Sequence, residues 1–198
     1  MKRFFILLLN VLATILIIGC TQNITVPANS DHVSQESIDS LAVQLHKLDS
    51  LYNSGNLLHM DIYKLDKLKT IEFSVQSIEV EGEKYQYINL RKDCGNDYYY
   101  RWEDARILPD EVQYFYKALE TIKSNWHRET DHEERYAYIT KDDIRLFAKN
   151  DGGGSKWTVY LSVDYKQDNS EVSLTETDIE KLVDLLNKGV AKIQQISK

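Results

Sequence analysis

The sequence predicts an α+β domain in which an antiparallel sheet carries helices on one of its faces. Two observations support this fold class. Runs of alternating apolar and polar residues, typical of strands with one buried face, occur in both halves of the 198-residue chain. In each half an amphipathic helical stripe follows these runs, so that strands and helices are segregated along the chain.

A first helix is predicted near the start of the domain, because apolar residues recur there at spacings of three and four. It should end before Gly55, a natural helix stop. A coiled-coil partner is the alternative use of this face, but two heptads are too few to outweigh packing against the chain's own core. The stripe consists of Ile38, Leu41, Leu45, Leu48 and Tyr52.

A β-hairpin is predicted around Gly82, where two alternating runs flank a short polar turn. The first run covers residues 71–80 and the second covers residues 85–90, and residues 98–102 can add a third strand. Pro109 then opens a helix whose first turn is acidic, as the helix dipole favours. The apolar stripe of that helix consists of Val112, Phe115, Leu119, Ile122 and Trp126.

The second half of the chain repeats this order. Strands are expected at residues 136–139, 144–148 and 157–163, and a helix follows them. Thr175 and Asp178 have the spacing of a capping box at the start of that helix. Its apolar stripe consists of Ile179, Leu182, Leu186, Val190 and Ile193.

The similar spacing of the last two stripes indicates an internal repeat, formed by residues 70–126 and 134–195. In a pseudo-twofold arrangement, the two units would form one continuous antiparallel sheet with both helices on one face, and the other face would stay free for a partner. This arrangement resembles the TATA-binding-protein-like and β-lactamase-inhibitor-protein-like folds. A pleckstrin-homology-like barrel with a terminal helix is the alternative.

The N-terminus has the pattern of an export signal: Lys2 and Arg3 precede an apolar run that ends in Gly19 and Cys20. The last four residues of this stretch, Ile-Ile-Gly-Cys, resemble the lipobox of bacterial lipoproteins. A membrane-spanning helix is the alternative, but it needs about 20 apolar residues and this run is shorter. The resemblance implies a signal peptide at residues 1–19 and lipid on Cys20. The polar composition that follows predicts a flexible tether, at residues 20–34 with the lipidated cysteine, and the remaining length predicts one domain at 35–198.

Lipid on Cys20 implies that the protein is anchored to a membrane of the cell envelope, since two or three acyl chains hold a protein on a bilayer. Thr21 stands where enterobacterial lipoproteins of the inner membrane have aspartate, which favours the outer membrane and leaves its periplasmic and surface faces as alternatives. The formal net charge of −7 makes nucleic acid an unsuitable general partner.

We found no catalytic, metal or cofactor motif that outweighs its structural interpretation. His127 and His132 lie in one acidic loop, but their spacing matches no zinc motif and a solvated loop is commoner. Residues 151–156 contain three glycines and a lysine, yet the order is wrong for a phosphate loop and fits a hairpin turn. Cys94 lies in a turn-like segment without a histidine base near it in the sequence.

An aromatic cluster at residues 98–102 is the remaining feature, and alternation places Tyr98, Tyr100 and Trp102 on one strand face. Facing outward, they would form a binding surface for a protein or a glycan. We expect them instead to pack under the helices, since large aromatic residues are mostly buried. The sequence therefore favours a non-catalytic binding or accessory module, with a glycan-binding lipoprotein as the alternative and a hydrolase as a third.

Overall fold

In the computed structural model, which describes residues 35–55, 57–80, 82–95 and 101–198, the chain forms an α+β domain of three helices and eight strands. The helices are α1 (Gln35–Tyr52), α2 (Val112–Asn125) and α3 (Glu176–Ile196). The strands are β1 (His59–Leu68), β2 (Ile71–Val80), β3 (Glu83–Asp93), β4 (Trp102–Ile107), β5 (Glu134–Ile139), β6 (Arg145–Asn150), β7 (Thr158–Ser162) and β8 (Glu171–Leu174). The predicted signal peptide, Cys20 and the tether lie outside the described residues, as do Tyr98 and Tyr100.

Strands β1 to β4 form sheet A, an antiparallel meander in the order β1-β2-β3-β4. The predicted hairpin is confirmed, because β2 and β3 pair along their length from Ile71 opposite Lys92 to Val80 opposite Glu83. The strand that follows β3 begins at Trp102, which was the last residue of the strand predicted at 98–102, and it pairs antiparallel with β3. Strand β1, which the sequence pattern did not reveal, adds an edge with a register shift between Lys64 and Lys67.

Strands β5 to β8 form sheet B, a second antiparallel meander in the order β5-β6-β7-β8. The three strands predicted in this half are confirmed with small shifts of their ends. The glycine-rich segment joins β6 to β7, as expected of a hairpin connection. A fourth strand of four residues, β8, pairs with β7 and leads into α3.

The prediction of one continuous sheet is wrong, because β4 pairs with β3 alone and sheets A and B stay separate. The main-chain N–H of Arg106 on β4 points away from β3 and donates to Asp142 Oδ2 at 2.7 Å, so a carboxylate occupies the position of a further strand. The pseudo-twofold arrangement through a single sheet and the barrel alternative both fail for this reason. What the two halves share is four antiparallel strands followed by a helix.

One core holds the two sheets and the last two helices together. Helix α3, which follows sheet B, packs on β1, β2 and β3 of sheet A, whereas α2 packs on β5 and β6 of sheet B. The predicted stripes are confirmed, with Trp126 and Val190 only partly buried. The capping box is also confirmed: Thr175 Oγ1 accepts the Asp178 N–H at 3.2 Å, and Asp178 Oδ2 accepts the Thr175 N–H at 2.9 Å.

Helix α1 lies on the opposite face of sheet A, which corrects the expectation that this face is free of helices. Its side chains Leu41, Leu45 and Leu48 form a second, smaller apolar cluster with residues of sheet A and the segment after it. The register shows why the two clusters are distinct, since Ile78 and Tyr87 alternate along their strands with the residues that face α3. The partners of the leucines are Ile78, Tyr87 and Leu108.

Candidate interaction surface

The part of sheet A that α1 leaves uncovered presents an open, largely polar face, here called the outer face. Strand register aligns its residues in rows across the sheet, for example Ser74 opposite Asn89, and Asn89 opposite Arg106. The neighbouring row places Arg91 opposite Asp104. The outer face comprises Ile62, Lys64, Glu72, Ser74, Gln76, Asn89, Arg91, Trp102, Asp104 and Arg106.

Trp102 stands on the outer face with 43% of its surface exposed, so the expectation that it packs under the helices is wrong. The buried residues of β4 are Ala105 and Ile107, which point the other way. The guanidinium of Arg91 lies over the Trp102 ring, 4.6 Å from its centroid. A cation over an indole face holds both side chains in place, so they form a preformed contact unit.

Hydrogen-bonded polar side chains form the centre of the outer face. Asn89 is buried, and its Nδ2 donates to Asp104 Oδ1 at 3.0 Å. The other oxygen of Asp104 lies 3.6 Å from Arg91 Nε, so the carboxylate links the amide to the guanidinium that covers Trp102. Because the buried Asn89 holds Asp104 and Asp104 in turn lies against Arg91, the exposed carboxylate and guanidinium are held in fixed positions on this face.

Two further exposed apolar side chains border this polar centre, and sequence reasoning missed both as surface residues. Ile62 on β1 is 55% exposed, and Tyr52 at the end of α1 is 43% exposed. The hydroxyls of Tyr52 and Tyr87 are 2.6 Å apart, and Tyr87 donates to Gln76 Oε1 at 2.8 Å. Tyr52 therefore connects α1 to the row of the sheet that contains Ile62.

Arg106 marks the corner where α1, sheet A and sheet B meet. The carboxylate of Asp142, in the turn between β5 and β6, accepts hydrogen bonds from Nε and one terminal nitrogen of the Arg106 guanidinium, each at 2.9 Å. Asp49 on α1 accepts a hydrogen bond from the same terminal nitrogen at 2.8 Å. This bidentate pair fixes the turn of sheet B against the edge of sheet A.

Sheet B also has an uncovered face, which contains an aromatic pair. Phe147 and Tyr160 lie opposite each other on β6 and β7 with ring centroids 6.4 Å apart, and the Arg145 guanidinium lies 5.3 Å from the Phe147 centroid. Arg145 also pairs with Glu171 at 3.4 Å. Both surfaces pair their cation with a carboxylate, but the two rings of this surface are partly buried, whereas Trp102 on the outer face of sheet A is exposed.

Two concavities of about 430 Å³ each are open to solvent. One is a groove between α2 and α3 with Leu119, Ile179 and Val183 as its apolar floor and glutamates at its rim. The other is a cleft between α1, β3 and the end of α3, and polar side chains such as Gln44 and Gln86 line much of it. Neither encloses a ligand on all sides, so each offers at most a shallow contact.

The histidines and the cysteine that could act as metal ligands or catalytic groups are dispersed in the structure, paired with carboxylates or buried. His127 pairs with Glu176 at 2.8 Å, and His132 lies between Asp131 and Glu134. Within the described ranges, no group of three or more His, Cys, Asp or Glu side chains could hold a metal ion. Cys94 is buried, and this burial raises the pKa of its thiol, which disfavours the reactive thiolate.

The glycine-rich segment uses its own main-chain donors. The N–H groups of Gly153 and Gly154 both donate to the carbonyl of Thr130 at 3.1 Å, and Gly152 donates to Asn150 Oδ1 at 2.9 Å. These donors are therefore engaged within the protein and do not form an anion cradle. Among the helices of the described part, none is long and apolar enough to cross a membrane.

Comparison with protein-family models, with curated proteins and with solved structures produced no match.

Proposed function

We propose that this protein is a lipid-anchored binding module of the cell envelope, which uses the outer face of sheet A to bind another envelope protein. The observation that carries the proposal is Trp102, half exposed on an open sheet face with Arg91 fixed against its ring. Tryptophan and arginine are the residue types most enriched in the energetic centres of protein interfaces. The anchor follows from the resemblance of residues 1–20 to a lipoprotein leader.

The position of Arg91 favours a protein partner over a sugar. A sugar ring stacks on an exposed indole face, whereas the Arg91 guanidinium already covers one face of Trp102. The exposed apolar residues Ile62 and Tyr52 lie across a polar centre from this pair. Exposed apolar side chains around polar groups that are already hydrogen-bonded to one another are typical of surfaces that bind a protein of complementary shape.

A glycan is the second candidate, because Asp104 and Arg91, linked to each other and supported by the buried Asn89, lie beside an aromatic ring. Carboxylate and guanidinium groups can hydrogen-bond to neighbouring sugar hydroxyls. To bind a glycan, the Arg91 guanidinium would have to move off the Trp102 ring, or stay over the ring and donate to a sugar hydroxyl.

The test is co-purification of the full chain from cross-linked native membranes, compared between the wild type and Trp102→Ala. A matched control is Tyr165→Ala, since Tyr165 is 37% exposed but belongs to the connection after β7. We expect one reproducible protein partner. The Tyr165→Ala control should recover it as fully as the wild type, and Trp102→Ala should lower the amount recovered by about tenfold or more.

A glycan array with the same variants separates the alternatives. Sugar binding that is lost only with Trp102→Ala, in the absence of a protein partner, would replace the first candidate with the second. If both variants keep the same protein partner, the outer face is not the binding surface. Turnover of a substrate by the purified chain would favour the hydrolase alternative and end the binding-module proposal.

A further inference from the structure

Strand β1 forms one edge of sheet A, and the register of the sheet shows which of its main-chain groups point away from β2. The Arg106 N–H points away from β3, so Asn89 opposite it directs its own main-chain groups to Ser74 on β2. Ser74 lies opposite Lys64, so the N–H and C=O of Lys64 point away from β2. This orientation repeats at every second residue of the regular stretch, and it directs outward the main-chain groups of Met60, Ile62 and Lys64.

These outward groups have no hydrogen-bond partner among the described residues. At two other edge positions of sheet A, a carboxylate caps the main-chain N–H. On β4, Asp142 accepts the Arg106 N–H at 2.7 Å. On β1, beyond the register shift, Asp66 Oδ1 accepts the Lys67 N–H at 2.8 Å. Residues 60–64 lie before the shift without such a cap, so they present a row of donors and acceptors to which another strand can hydrogen-bond.

The side chains of this open edge belong to the outer face. Ile62 and Lys64 are both exposed, and the row that contains Lys64 crosses the sheet to β4. The Glu72 carboxylate on the same face pairs with Lys67 at 2.7 Å, and Lys64 forms no ion pair within the described part. The open edge is therefore continuous with the surface that carries Trp102, and it offers an apolar side chain beside an unpaired cation.

We propose that the partner of the outer face supplies an extended segment, which adds to residues 60–64 of β1 as a fifth strand of sheet A. Its main-chain groups pair with those that β1 directs outward, and it runs antiparallel, as all neighbouring strands of this sheet do. Its side chains are acidic opposite Lys64 and apolar opposite Ile62. The inference rests on the proposed function, because it states how the envelope partner is held.

Charge complementarity favours a segment of another protein over a second copy of this chain. If two β1 strands paired antiparallel about Ile62, Lys64 would lie opposite Met60 and would gain no carboxylate. A different chain with an acidic residue opposite Lys64 pairs this cation, and an apolar residue two positions further along covers Ile62.

The first test measures hydrogen exchange of the full chain in a non-ionic detergent with a synthetic probe, the acetylated peptide amide Glu-Thr-Val-Thr-Val. In antiparallel pairing, its glutamate lies opposite Lys64 and its first valine opposite Ile62. We expect millimolar peptide to slow exchange of the Met60, Ile62 and Lys64 amides by roughly threefold or more, resolved amide by amide with mass spectrometry. The control peptide is methylated on the nitrogen of the first valine, which removes the donor to the Ile62 carbonyl.

Protection of these amides that is lost with the methylated peptide supports strand addition. Unchanged exchange at these positions, or protection centred on β5, overturns it. Protection that rises with protein concentration in the absence of peptide would show that a second copy occupies the edge, and would also overturn the proposal. This test uses the wild-type chain, so it does not depend on the folding of any variant.

The second test repeats the co-purification from cross-linked native membranes with Ile62→Pro. Proline removes the outward N–H of an edge residue, so the sheet keeps its own hydrogen bonds. The matched control is Ile139→Pro: Ile139 is 46% exposed on the edge strand β5, and its N–H also points outward because the next residue, Thr140, donates to the Ile144 carbonyl. We expect Ile62→Pro to lower recovery of the partner by about tenfold and Ile139→Pro to leave it unchanged. Ile62→Thr keeps the N–H and should lose less.

Comparison with Trp102→Ala separates this inference from the proposed function. A partner that is lost with Trp102→Ala but kept by Ile62→Pro leaves the outer face as the binding surface and overturns strand addition. A partner that is lost with Ile62→Pro but kept by Trp102→Ala, together with the protected amides, supports strand addition and removes Trp102 from the contact. Equal loss with Ile62→Pro and Ile139→Pro would show an effect that is not specific to β1, and would overturn the proposal.

Discussion

Gly189 on α3 lies directly against Ile88 on β3: a Cβ at position 189 would stand 2.6 Å from Ile88 Cδ1 and 2.8 Å from its Cγ1. Both residues are buried where α3 crosses sheet A. The glycine costs about 1 kcal/mol of helix propensity relative to alanine. It is tolerated here because it lets the helix approach the sheet closely enough to exclude water from the main core.

Gly189→Ala should therefore destabilise the domain by about 1–2 kcal/mol despite the better helix propensity, since overpacking in a rigid core outweighs it. The measurement is the free energy of unfolding in urea. Ile88→Val removes the atom nearest to the new Cβ, so the double variant should recover part of the loss. If Gly189→Ala is as stable as the wild type or more so, the contact is not a constraint on the helix.

Asp142 and Asp49 bind the same guanidinium but should differ in their contribution to stability. Asp142→Ala removes the bidentate partner of the partly buried Arg106 guanidinium and the acceptor of the Arg106 main-chain N–H. We therefore expect the free energy of unfolding to fall by about 2–4 kcal/mol. Asp49→Ala removes an exposed partner and should cost less than about 1 kcal/mol. Equal losses in urea unfolding would mean that Asp142 does not fix the two sheets together.

Glu111 predicts a pH dependence of stability. Its side chain is buried, Oε1 accepts the Lys141 N–H at 2.8 Å, and Oε2 has no partner within the described residues. Burial raises the pKa of this carboxyl above its ordinary value of 4.5, although the Lys141 N–H opposes the shift. The folded state then binds this proton more tightly than the unfolded state, so the contribution of Glu111 to stability falls as the pH rises from 4.5 through the folded pKa.

Glu111→Gln should flatten this part of the stability profile, because a neutral amide does not titrate. The measurement is urea unfolding at several pH values between about 4 and 8. Glu120→Gln is the matched control, since it makes the same substitution at an exposed glutamate of α2. An unchanged slope in Glu111→Gln would contradict a raised pKa of the Glu111 carboxyl.

The elements that the sequence predicted are those with a strong local pattern. The stripes of α2 and α3 and the capping box at Thr175 depend on residues within one helix, so their signal is independent of the rest of the fold. Strand β1 was missed because its alternation is interrupted between Lys64 and Lys67 and it is exposed along much of its length. Strand β8 has only four residues, too few for a period to be recognised.

The separation into two sheets depends on contacts that no local pattern encodes. The sequence around Asp142 indicates only an ordinary turn, and the contact of its carboxylate with the Arg106 N–H depends on tertiary structure. For the same reason the sequence showed that α1 has an apolar face but not which face of the sheet it covers.

The orientation of Trp102 could have been inferred from the residues that follow it. Trp102 shares its parity with Asp104 and Arg106, whereas Ala105 and Ile107 have the opposite parity. In a strand, a tryptophan on the polar face is outward and half exposed. The expectation of burial was based on the general tendency of large aromatic residues to be buried, which the exposed Trp102 does not follow.

The anchor is tested by Cys20→Ser, with Cys94→Ser as the matched control. Because the Cys20 thiol is the proposed attachment point, its loss should abolish metabolic labelling by an alkyne fatty acid and leave the chain unprocessed or unanchored. Cys94 is buried in the domain, so its serine variant should keep both the label and recovery in the membrane fraction. If Cys20→Ser is recovered in membranes as fully as the wild type, without label in either and with an intact N-terminal segment, a spanning helix replaces the lipid anchor.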